Sequence, residues 1–413
     1  SRAPSCMASG PERIDAAGMR TQVAIIGAGP AGLLLAQLLH LRGIDSVVIE
    51  ARSREYIENR VRAGVLEHQS VEILKEAGAG DRLLREGLRH EGVNIRFAGR
   101  NHRIDFAALT GKSLTIYGQQ EVVKDLVAAR VANGRPLHFE VDRVSVHRVD
   151  GDSPEVHFVT QAGGEIVLQC DFVAGCDGFH GICRPSIPES VLQVFERVYP
   201  YAWLGILAEV PPASEELIYA NHERGFALLS MRSPTISRLY LQVAPDEPLE
   251  NWPDERIWSE LATRLSTREG FVLPTGPVLQ KGLTPMRSFV AEPMQYGRLY
   301  LAGDSAHIVP PTGAKGMNSA VADVFVLADA LDTYYLGVRG SGRMEKLNSY
   351  SARCLRRIWK VQRFSWWVTT LLHRSDADNA FDRRRQLAEL DYLASSEAAS
   401  LTFAENYVGL PIG

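Results

Sequence analysis

The chain has 413 residues, of which 45% are hydrophobic and 23% are charged, and its formal net charge is −4. This length exceeds what one simple core usually supports, so two or three interlocked domains are expected. The mild charge balance argues against a nucleic-acid or membrane-surface binder, and no apolar run reaches the length of a membrane span. Five cysteines without a C-x-x-C pair favour a reducing, cytoplasmic setting, and we predict no metal site.

Hydrophobic spacing predicts the elements in chain order, after a loose extension at residues 1–18 that lacks apolar periodicity. A βαβ unit comes first, with a strand at 22–26, a helix at 32–41 and a strand at 46–49. Alternating residues then predict an antiparallel sheet with strands at 203–209, 217–221, 225–231 and 237–243. Periodicity also predicts a strand-like stretch at 94–117 and helices at 65–76, 120–133, 252–265, 320–336 and 347–372.

A glycine-rich turn joins the first strand of this unit to its helix. Gly27 permits the tight turn, Gly29 lets the backbone approach a pyrophosphate, and Gly32 lets the helix pack against the strand. The helix N-terminus directs its free N–H groups toward the phosphates. Glu50 ends the second strand, where its carboxylate can accept hydrogen bonds from ribose hydroxyls. Together these features predict a dinucleotide site.

Two further glycine-containing turns follow apolar runs, one around Asp177 and one around Asp304. A carboxylate at the later turn can hold ribityl hydroxyls. The loop at 310–318 exposes backbone N–H groups before a helix, which suits the pyrimidine edge of a flavin that gains negative charge on reduction. The three turns in this order predict a flavin that the chain crosses several times. The antiparallel sheet, at about 193–290, is inserted between the second turn and the third.

Motifs of one known family extend along the chain from residue 19 to its end. They are Arg60–Glu67, Tyr117–Gln119, Ala174–Gly181, Phe195–Pro200, Leu217–His222, Arg224–Leu228, Leu301–Asp304, Ala306–Gly316, Arg363–Trp367 and Ala404–Pro411. In these motifs the chain resembles the class A flavoprotein aromatic hydroxylases. The resemblance implies an α/β plus α+β fold, with a Rossmann-like FAD-binding domain, an inserted antiparallel-sheet substrate domain and a helical C-terminal region.

The resemblance also implies how the chain is divided. We expect a FAD-binding domain at 19–192, the substrate sheet at 193–290, a return to the FAD site at 291–320 and a helical region at 321–413. The helical region is expected to contribute to a homodimer. The loop at 337–343 is longer than the family pattern.

The family's cofactor positions can be carried over residue by residue. The resemblance implies that FAD is held by Gly27, Gly29, Gly32, Glu50, Arg62, Gln119, Asp177, Asp304, Lys315 and Asn318, with Arg238 beside the flavin ring. The resemblance also implies that a reduced nicotinamide cofactor contacts Arg52, Tyr56, His180 and Arg287. NADPH-specific members tend to have a basic residue where Ala51 stands, so the choice between NADPH and NADH stays open. Arg52, Arg54 and Tyr56 could still contact a 2′-phosphate, which favours NADPH over NADH or dual use.

The substrate positions are implied in the same way. Ser230, Arg232 and Tyr240 match residues that bind a substrate carboxylate, and an arginine fork with two hydroxyls suits that anion. Tyr219 and the backbone carbonyl of Pro311 match groups that contact the substrate phenol. Tyr407 and His90 match the rest of a proton relay, and histidine suits its outer end because it titrates near neutral pH.

The activity that the resemblance implies is hydroxylation of 4-hydroxybenzoate to 3,4-dihydroxybenzoate with O2 and NAD(P)H, by way of a flavin hydroperoxide. Loss of the phenol proton enriches the ring with electrons, which transfer of oxygen to carbon requires. Two alternatives stay open. One is a related hydroxylase for another carboxylated phenol, and the other is a flavin-binding protein without hydroxylase activity.

Overall fold

The computed structural model describes residues 19–62, 64–337 and 343–413. The predicted extension at 1–18 lies outside the described residues, as does most of the predicted longer loop at 337–343. In the ranges that are described, no helix is long and apolar enough to cross a membrane.

A mixed sheet, here called the nucleotide sheet, takes four strands from the first half of the chain and two from residues 295–301. Its strands lie in the order Gln295–Tyr296, Leu299–Leu301, Phe172–Gly175, Val23–Ile26, Ser46–Ile49 and Leu137–His138. All neighbours are parallel except the first two strands, which form an antiparallel pair. The central strands are buried, as apolar strands of a parallel sheet covered by helices should be.

The strands that lead into the three predicted turns are direct neighbours in this sheet. Phe172–Gly175 lies between Val23–Ile26 and Leu299–Leu301, parallel to both. Parallel strands end at the same edge of a sheet, so the three turns meet there. The ladder continues into them, because the Cys176 N–H donates to the Ile26 carbonyl at 2.8 Å. The three turns, which are far apart in the sequence, therefore lie next to each other in the structure.

A long, mostly antiparallel sheet follows. Its strands lie in the order His307–Ile308, Val278–Glu292, Gln193–Ala208, Ile236–Val243, Ala227–Ser233, Ile218–Asn221, Gly92–Phe97 and Arg100–Asp105. The pair Ile218–Asn221 and Gly92–Phe97 is parallel. The sheet thus takes in strands from 92–105 and 307–308, outside the predicted range 193–290. The limits assigned to the domains remain a prediction.

Helices cover both faces of the long sheet, and the alternation of its strands decides which residues they bury. One face carries Tyr219 and Tyr240 and packs against the C-terminal helices through Phe364 and Phe403. The opposite face carries Leu229 and its neighbours and packs against the helix Asp254–Arg264. The face with the predicted substrate residues is therefore buried beneath the C-terminal helices.

The other elements complete the fold. Two small sheets contain Met19–Arg20, Glu165–Gln169, Glu155–Val159 and Asp142–His147, and Val65–Leu66, Leu114–Ile116 and Leu88–His90. The remaining helices are Pro30–Leu41, Arg54–Asn59, His68–Glu76, Asp81–Glu86, Phe106–Thr110, Gln119–Ala132, Gly316–Leu336, Glu345–Asn348, Tyr350–Leu372, Ala380–Ser395 and Glu397–Val408. Short 3-10 turns lie at Arg184–Ser186, Leu249–Asn251, Gly303–Ser305 and Pro311–Gly313.

Two of the predicted elements are wrong in part. The predicted helix at 65–76 starts only at His68, because Val65–Leu66 pairs with Leu114–Ile116 as a strand. The strand-like stretch at 94–117 contains the helix Phe106–Thr110, which Asp105 caps by accepting from the Ala108 N–H at 2.8 Å. In both cases a local pairing or cap outweighs the apolar pattern.

Candidate active site

The three glycines of the first turn have different surroundings. Gly27 has a φ of +105°, and a Cβ there would lie 2.2 Å from the Cys176 carbonyl oxygen. A Cβ on Gly32 would lie 1.9 Å from the Gly27 carbonyl oxygen, so the helix approaches the strand too closely for a side chain. A Cβ on Gly29 would meet nothing within 4 Å. Open space beside the helix N-terminus is what an approaching pyrophosphate needs.

Glu50 is tied to this turn. One carboxylate oxygen accepts from the Ala28 N–H at 2.8 Å, and the other accepts from the Arg52 N–H at 2.7 Å. Each oxygen keeps a lone pair for a further donor. The carboxylate is therefore fixed in place beside the turn and still able to accept a ribose hydroxyl.

Two aspartates stand at the other turns. Asp177 accepts from the Cys183 N–H at 2.9 Å, while its second oxygen is buried and has no partner among the residues that the structure describes. The Asp304 side chain is accessible, yet surrounding protein raises its pKa by desolvation, which the charges of His307 and Arg62 oppose. Arg62 is also accessible. An unpaired carboxylate oxygen and an accessible carboxylate with a nearby guanidinium fit the hydroxyls and phosphates of a flavin nucleotide.

A buried pair that the sequence did not suggest supports the third turn. Gly303 has a φ of +68°, and its N–H donates to Asp323 at 2.9 Å. The same carboxylate oxygen lies 2.5 Å from His307 Nε2. Burial lowers the pKa of His307, but Asp323 and Asp304 raise it more, so the net pKa is above its usual value. The pair holds the backbone conformation that presents Asp304.

Two of the predicted cofactor residues are engaged by the protein itself. The Lys315 ammonium donates to Glu67 at 2.7 Å and to the Tyr407 carbonyl at 2.9 Å. The Asn318 amide donates to the Val65 and Ala314 carbonyls and accepts from the Glu67 N–H. These side chains brace the loop at 310–318 and leave its backbone N–H groups as the groups suited to a flavin.

Strand register brings the predicted substrate residues together. Tyr219 is paired with Leu228, and Leu228 with Tyr240, so the two tyrosines lie two strand spacings apart, roughly 10 Å. Ser230 is paired with Arg238 on the next row of the same face. Residues that are up to 21 positions apart in the sequence, from Tyr219 to Tyr240, therefore line one face of the long sheet.

The carboxylate end of this surface is positively charged. Burial lowers the pKa of Arg232, and its Nε has no partner in the described residues. Arg238 Nε donates to the Tyr240 hydroxyl at 3.3 Å, while its Nη1 is also unpaired. Burial raises the pKa of Tyr240, but the charges of Arg232 and Arg238 lower it by more, so the net pKa lies below its ordinary value. Buried donors without acceptors favour an anion at this position.

The phenol end is built from two buried tyrosines. The hydroxyls of Tyr219 and Tyr407 contact each other through a short hydrogen bond. Tyr219 also donates to the Thr312 carbonyl at 3.0 Å, an acceptor that the sequence did not indicate. The predicted acceptor Pro311 is its neighbour in the same 3-10 turn, and its own role remains a prediction. Burial raises the pKa of both tyrosines, so both stay protonated near neutral pH.

His90, the predicted outer end of the relay, is only 1% exposed. Burial lowers its pKa to about 4, with Glu216 opposing the shift, and its Nδ1 has no partner among the described residues. Its neighbours Arg89 and Glu91 line a surface cavity of about 550 Å³ together with Glu216. His90 is thus neutral at pH 7, beside a route to solvent, and no hydrogen bond in the described ranges joins it to Tyr407.

The predicted nicotinamide-cofactor residues form two exposed groups. The guanidinium of Arg52 lies 5.4 Å from the Tyr56 ring centroid, and that of Arg60 lies 5.9 Å from it. In the second group, the rings of His180 and Phe179 are 5.0 Å apart, and the Arg287 guanidinium is 4.8 Å from the Phe179 ring. These groups contain charge suited to phosphate, and their roles stay predictions.

The last predicted cofactor residue, Gln119, opens the helix Gln119–Ala132. Its side chain is partly accessible, and its contact with a pyrophosphate stays a prediction.

Comparisons with known proteins agree with this arrangement. Residues 20–365 match the family described as FAD binding domain. The chain is 50% identical to p-hydroxybenzoate hydroxylase of Acinetobacter baylyi, over 95% of this chain and 96% of that protein. It is 27% identical to 3-(3-hydroxy-phenyl)propionate/3-hydroxycinnamic acid hydroxylase of Mycobacterium avium, over 73% of this chain and 53% of that protein.

Among solved structures, p-nitrophenol 4-monooxygenase PnpA of Pseudomonas putida superposes with a TM-score of 0.80 at 20% identity, covering 95% of this chain and all of that one. That likeness concerns the fold. The family match, the extended identity and the three adjoining turns lead to one conclusion. This chain belongs to the FAD binding domain family, as a relative of the p-hydroxybenzoate hydroxylase of Acinetobacter baylyi.

Proposed function

We propose that this protein is an FAD-dependent monooxygenase that hydroxylates 4-hydroxybenzoate to 3,4-dihydroxybenzoate, with O2 and NAD(P)H. One observation carries the proposal. A buried surface of the long sheet has unpaired guanidinium donors at Arg232 and Arg238 and a pair of tyrosine hydroxyls at Tyr219 and Tyr407. An aromatic acid with a hydroxyl opposite its carboxylate matches both ends.

FAD, held at the three turns, would supply the redox chemistry, namely the uptake of electrons from the nicotinamide cofactor and the activation of O2. The chain's own residues supply the remainder. Arg232, with the hydroxyls of Ser230 and Tyr240, binds the carboxylate and fixes the ring's orientation. The C-terminal helices cover this face and keep water from the reacting atoms.

The hydroxyls of Tyr219 and Tyr407 transfer the phenol proton away from the substrate. Both hydroxyls have raised pKa values, so neither acts as a stable tyrosinate. Each can instead accept a proton while donating its own, which passes charge along the pair without a charged intermediate. No hydrogen bond in the described residues joins Tyr407 to His90, so the proton would cross that gap through water before neutral His90 accepts it and releases it to the cavity beside Glu216.

The proposal is tested by stopped-flow reduction of the purified flavoprotein with NADPH, with and without 4-hydroxybenzoate, followed by product analysis. We expect the substrate to accelerate flavin reduction and the product to be 3,4-dihydroxybenzoate. Protein that purifies without flavin, or that shows no substrate-stimulated reduction, would contradict it. Stimulated oxidation that yields only H2O2 would instead favour a related hydroxylase for another carboxylated phenol.

We further propose NADPH as the preferred reductant. The paired guanidinium groups of Arg52 and Arg60 beside Tyr56 support this choice, since they suit a 2′-phosphate. Arg52→Ala should lower kcat/KM for NADPH roughly tenfold or more and leave that for NADH nearly unchanged. Arg54→Ala is the control, because Arg54 pairs with Glu58 at 2.8 Å. Equal losses with both reductants would refute the preference.

We also propose that the protein is a cytoplasmic homodimer. Buried free cysteines at 170, 176, 183 and 354 are in keeping with a reducing compartment. Exposed Trp359 and Trp366 on the helix Tyr350–Leu372 flank an apolar cavity of about 320 Å³, a surface suited to a second copy. Light scattering should give twice the chain mass for the native protein and a smaller mass for Trp366→Glu. A native monomer would refute the dimer.

A further inference from the structure

The end of the helix Tyr350–Leu372 contains a buried histidine that the proposed chemistry does not use. His373 is 2% exposed, and its ring stacks on those of Tyr201 and Phe226 at centroid distances of 4.6 and 4.4 Å. Trp203 Nε1 donates to His373 Nε2 at 2.7 Å. A ring nitrogen that accepts from an indole carries no proton, so His373 is neutral.

The other ring nitrogen completes this arrangement. Nδ1 lies 2.8 Å from the Thr369 carbonyl oxygen, to which it donates in the tautomer that Trp203 requires. Burial lowers the pKa of His373 to about 3, in keeping with a neutral ring at all working pH values. Both nitrogens are therefore satisfied, and the ring is held rigidly between the helix and the sheet.

Through Trp203 this contact reaches the carboxylate end of the substrate surface. The Trp203 ring lies 4.7 Å from that of Tyr240, and the Tyr240 hydroxyl is hydrogen-bonded to Arg238. Trp203 is 2% exposed, so its indole N–H has no solvent to replace His373. His373 thereby fixes the aromatic wall behind Tyr240.

One turn earlier, the same helix reaches the phenol end. The Thr369 hydroxyl donates to the Thr312 hydroxyl at 2.9 Å, and both side chains are fully buried. The Thr312 carbonyl is the acceptor of the Tyr219 hydroxyl. The helix end is also tied to the strand of Tyr219, because the Asn221 amide donates to its last carbonyls at 3.2 and 3.3 Å.

We propose that Thr369 and His373 are positioning residues that fix the two ends of the substrate pocket from one helix turn. His373 acts through Trp203 on the carboxylate end, and Thr369 acts through Thr312 on the phenol end. The inference rests on the proposed function, since it assigns substrate binding to one end and proton removal to the other. It predicts that the two residues affect different steps.

The first test concerns binding. In the FAD-loaded protein, His373→Phe keeps the ring stacking but removes both hydrogen bonds. We expect the Kd for 4-hydroxybenzoate, measured by flavin fluorescence, to rise roughly tenfold, because one of the two lost hydrogen bonds, that from Trp203, holds the wall of the binding site. The fraction of oxidised NADPH that yields product from bound substrate should change less than about twofold. His373→Gln offers a carbonyl to Trp203 and should restore most of the affinity, which also covers the case that His373→Phe does not fold.

The second test concerns coupling. Thr369→Val keeps a β-branched side chain and removes the hydroxyl that holds Thr312. We expect the product yield per NADPH to fall roughly threefold or more, with H2O2 making up the difference, while the Kd for 4-hydroxybenzoate stays within about twofold of native. Thr370→Val is the matched control, because the Thr370 hydroxyl only bonds the carbonyls of its own helix. It should change neither quantity.

The possible outcomes distinguish a failure of this inference from a failure of the proposed function on which it rests. Native-like Kd and yield in both variants would overturn the inference, as would equal losses of both quantities that track a fall in Tm. If the native protein binds 4-hydroxybenzoate but forms no product, the proposed function fails, while the Kd of His373→Phe still decides the carboxylate-end assignment. If the native protein does not bind it at all, both proposals are overturned.

Discussion

The nucleotide sheet and the long sheet build their sites in different ways. In the nucleotide sheet, the site consists of backbone turns at adjoining strand ends. Its glycines leave no room for a side chain where they pack against protein, since a Cβ on Gly32 would lie 1.9 Å from the Gly27 carbonyl oxygen. In the long sheet, the site consists of side chains from several strands, which the pairing register of the strands aligns in rows. A change at the first site should act through the backbone, on the fold where a glycine packs against protein and on cofactor binding where a glycine faces open space, whereas a change at the second should alter one chemical step.

The sharpest way to break this comparison lies within the first turn. Gly27→Ala places a Cβ 2.2 Å from the Cys176 carbonyl oxygen in a left-handed backbone, which should cost roughly 2–6 kcal/mol of unfolding free energy. Gly29→Ala meets no protein atom within 4 Å, so the apoprotein should keep its Tm. Its FAD affinity should nevertheless fall on the order of 100-fold, because the methyl group occupies the pyrophosphate's approach.

Apoprotein melting curves and FAD titrations measure both variants. The comparison fails if Gly29→Ala destabilises the apoprotein as much as Gly27→Ala does, or if it binds FAD with native affinity. The first result would mean that fold and cofactor contacts are not separable at this turn, and the second would mean that the pyrophosphate does not approach Gly29.

The same difference explains what the sequence could predict. The βαβ unit was placed to within about two residues, because apolar periodicity and glycines encode it locally. The strand Val278–Glu292 was not predicted, since Gly282 and Pro285 interrupt its pattern and it is stabilised by pairing with the distant strands Gln193–Ala208 and His307–Ile308. The helices after Leu372 were likewise missed as separate elements.

The candidate site divides in the same manner. Gly27, Gly29 and Gly32 follow from local chemistry. The contact of Tyr219 with Tyr407 joins residues 188 positions apart, and the Lys315 pairing with Glu67 joins residues 248 apart. No local pattern encodes such contacts. A family resemblance supplied the first pair, but only tertiary structure revealed the second, together with Thr312 and the His307–Asp323 pair.

In the long sheet, the largest single-step effect is expected at the phenol end. Tyr219→Phe removes the hydroxyl between substrate and Tyr407 while keeping the ring, so binding and flavin reduction should persist. The hydroxylation rate should fall roughly 100-fold or more, the usual size of an acid–base contribution. Rapid-quench product analysis measures it. Tyr199→Phe on the same sheet removes a hydroxyl that contacts Ser288 at 3.0 Å and should keep the native yield. A native yield in Tyr219→Phe would exclude the relay.

A smaller effect is expected at the carboxylate end. Arg232→Lys keeps the charge but loses the planar fork, so the Kd for 4-hydroxybenzoate should rise roughly 10- to 100-fold. The yield from bound substrate should stay near native, because proton removal occurs at the opposite end. Flavin fluorescence titration gives the Kd, and Arg197→Lys on the strand Gln193–Ala208, two strands away, is the control. An unchanged Kd would place the carboxylate elsewhere.

The smallest effect concerns pH and His90. Its folded pKa of about 4 lies below the ordinary value of 6.5, so the unfolded chain gains a proton first as pH falls. Stability linked to His90 is therefore fully present above pH 6.5 and is lost progressively down to about pH 4. Between pH 7 and pH 5 the loss should be roughly 2 kcal/mol.

His90→Asn removes the titrating group. The free energy of unfolding in urea should therefore fall by roughly 2 kcal/mol less in the variant than in the native protein between pH 7 and pH 5. Identical pH dependences would show that His90 is hydrated and already charged in the acid-side native state. The separation between a rigid backbone site and a side-chain site tuned by burial would then lose its support at this residue.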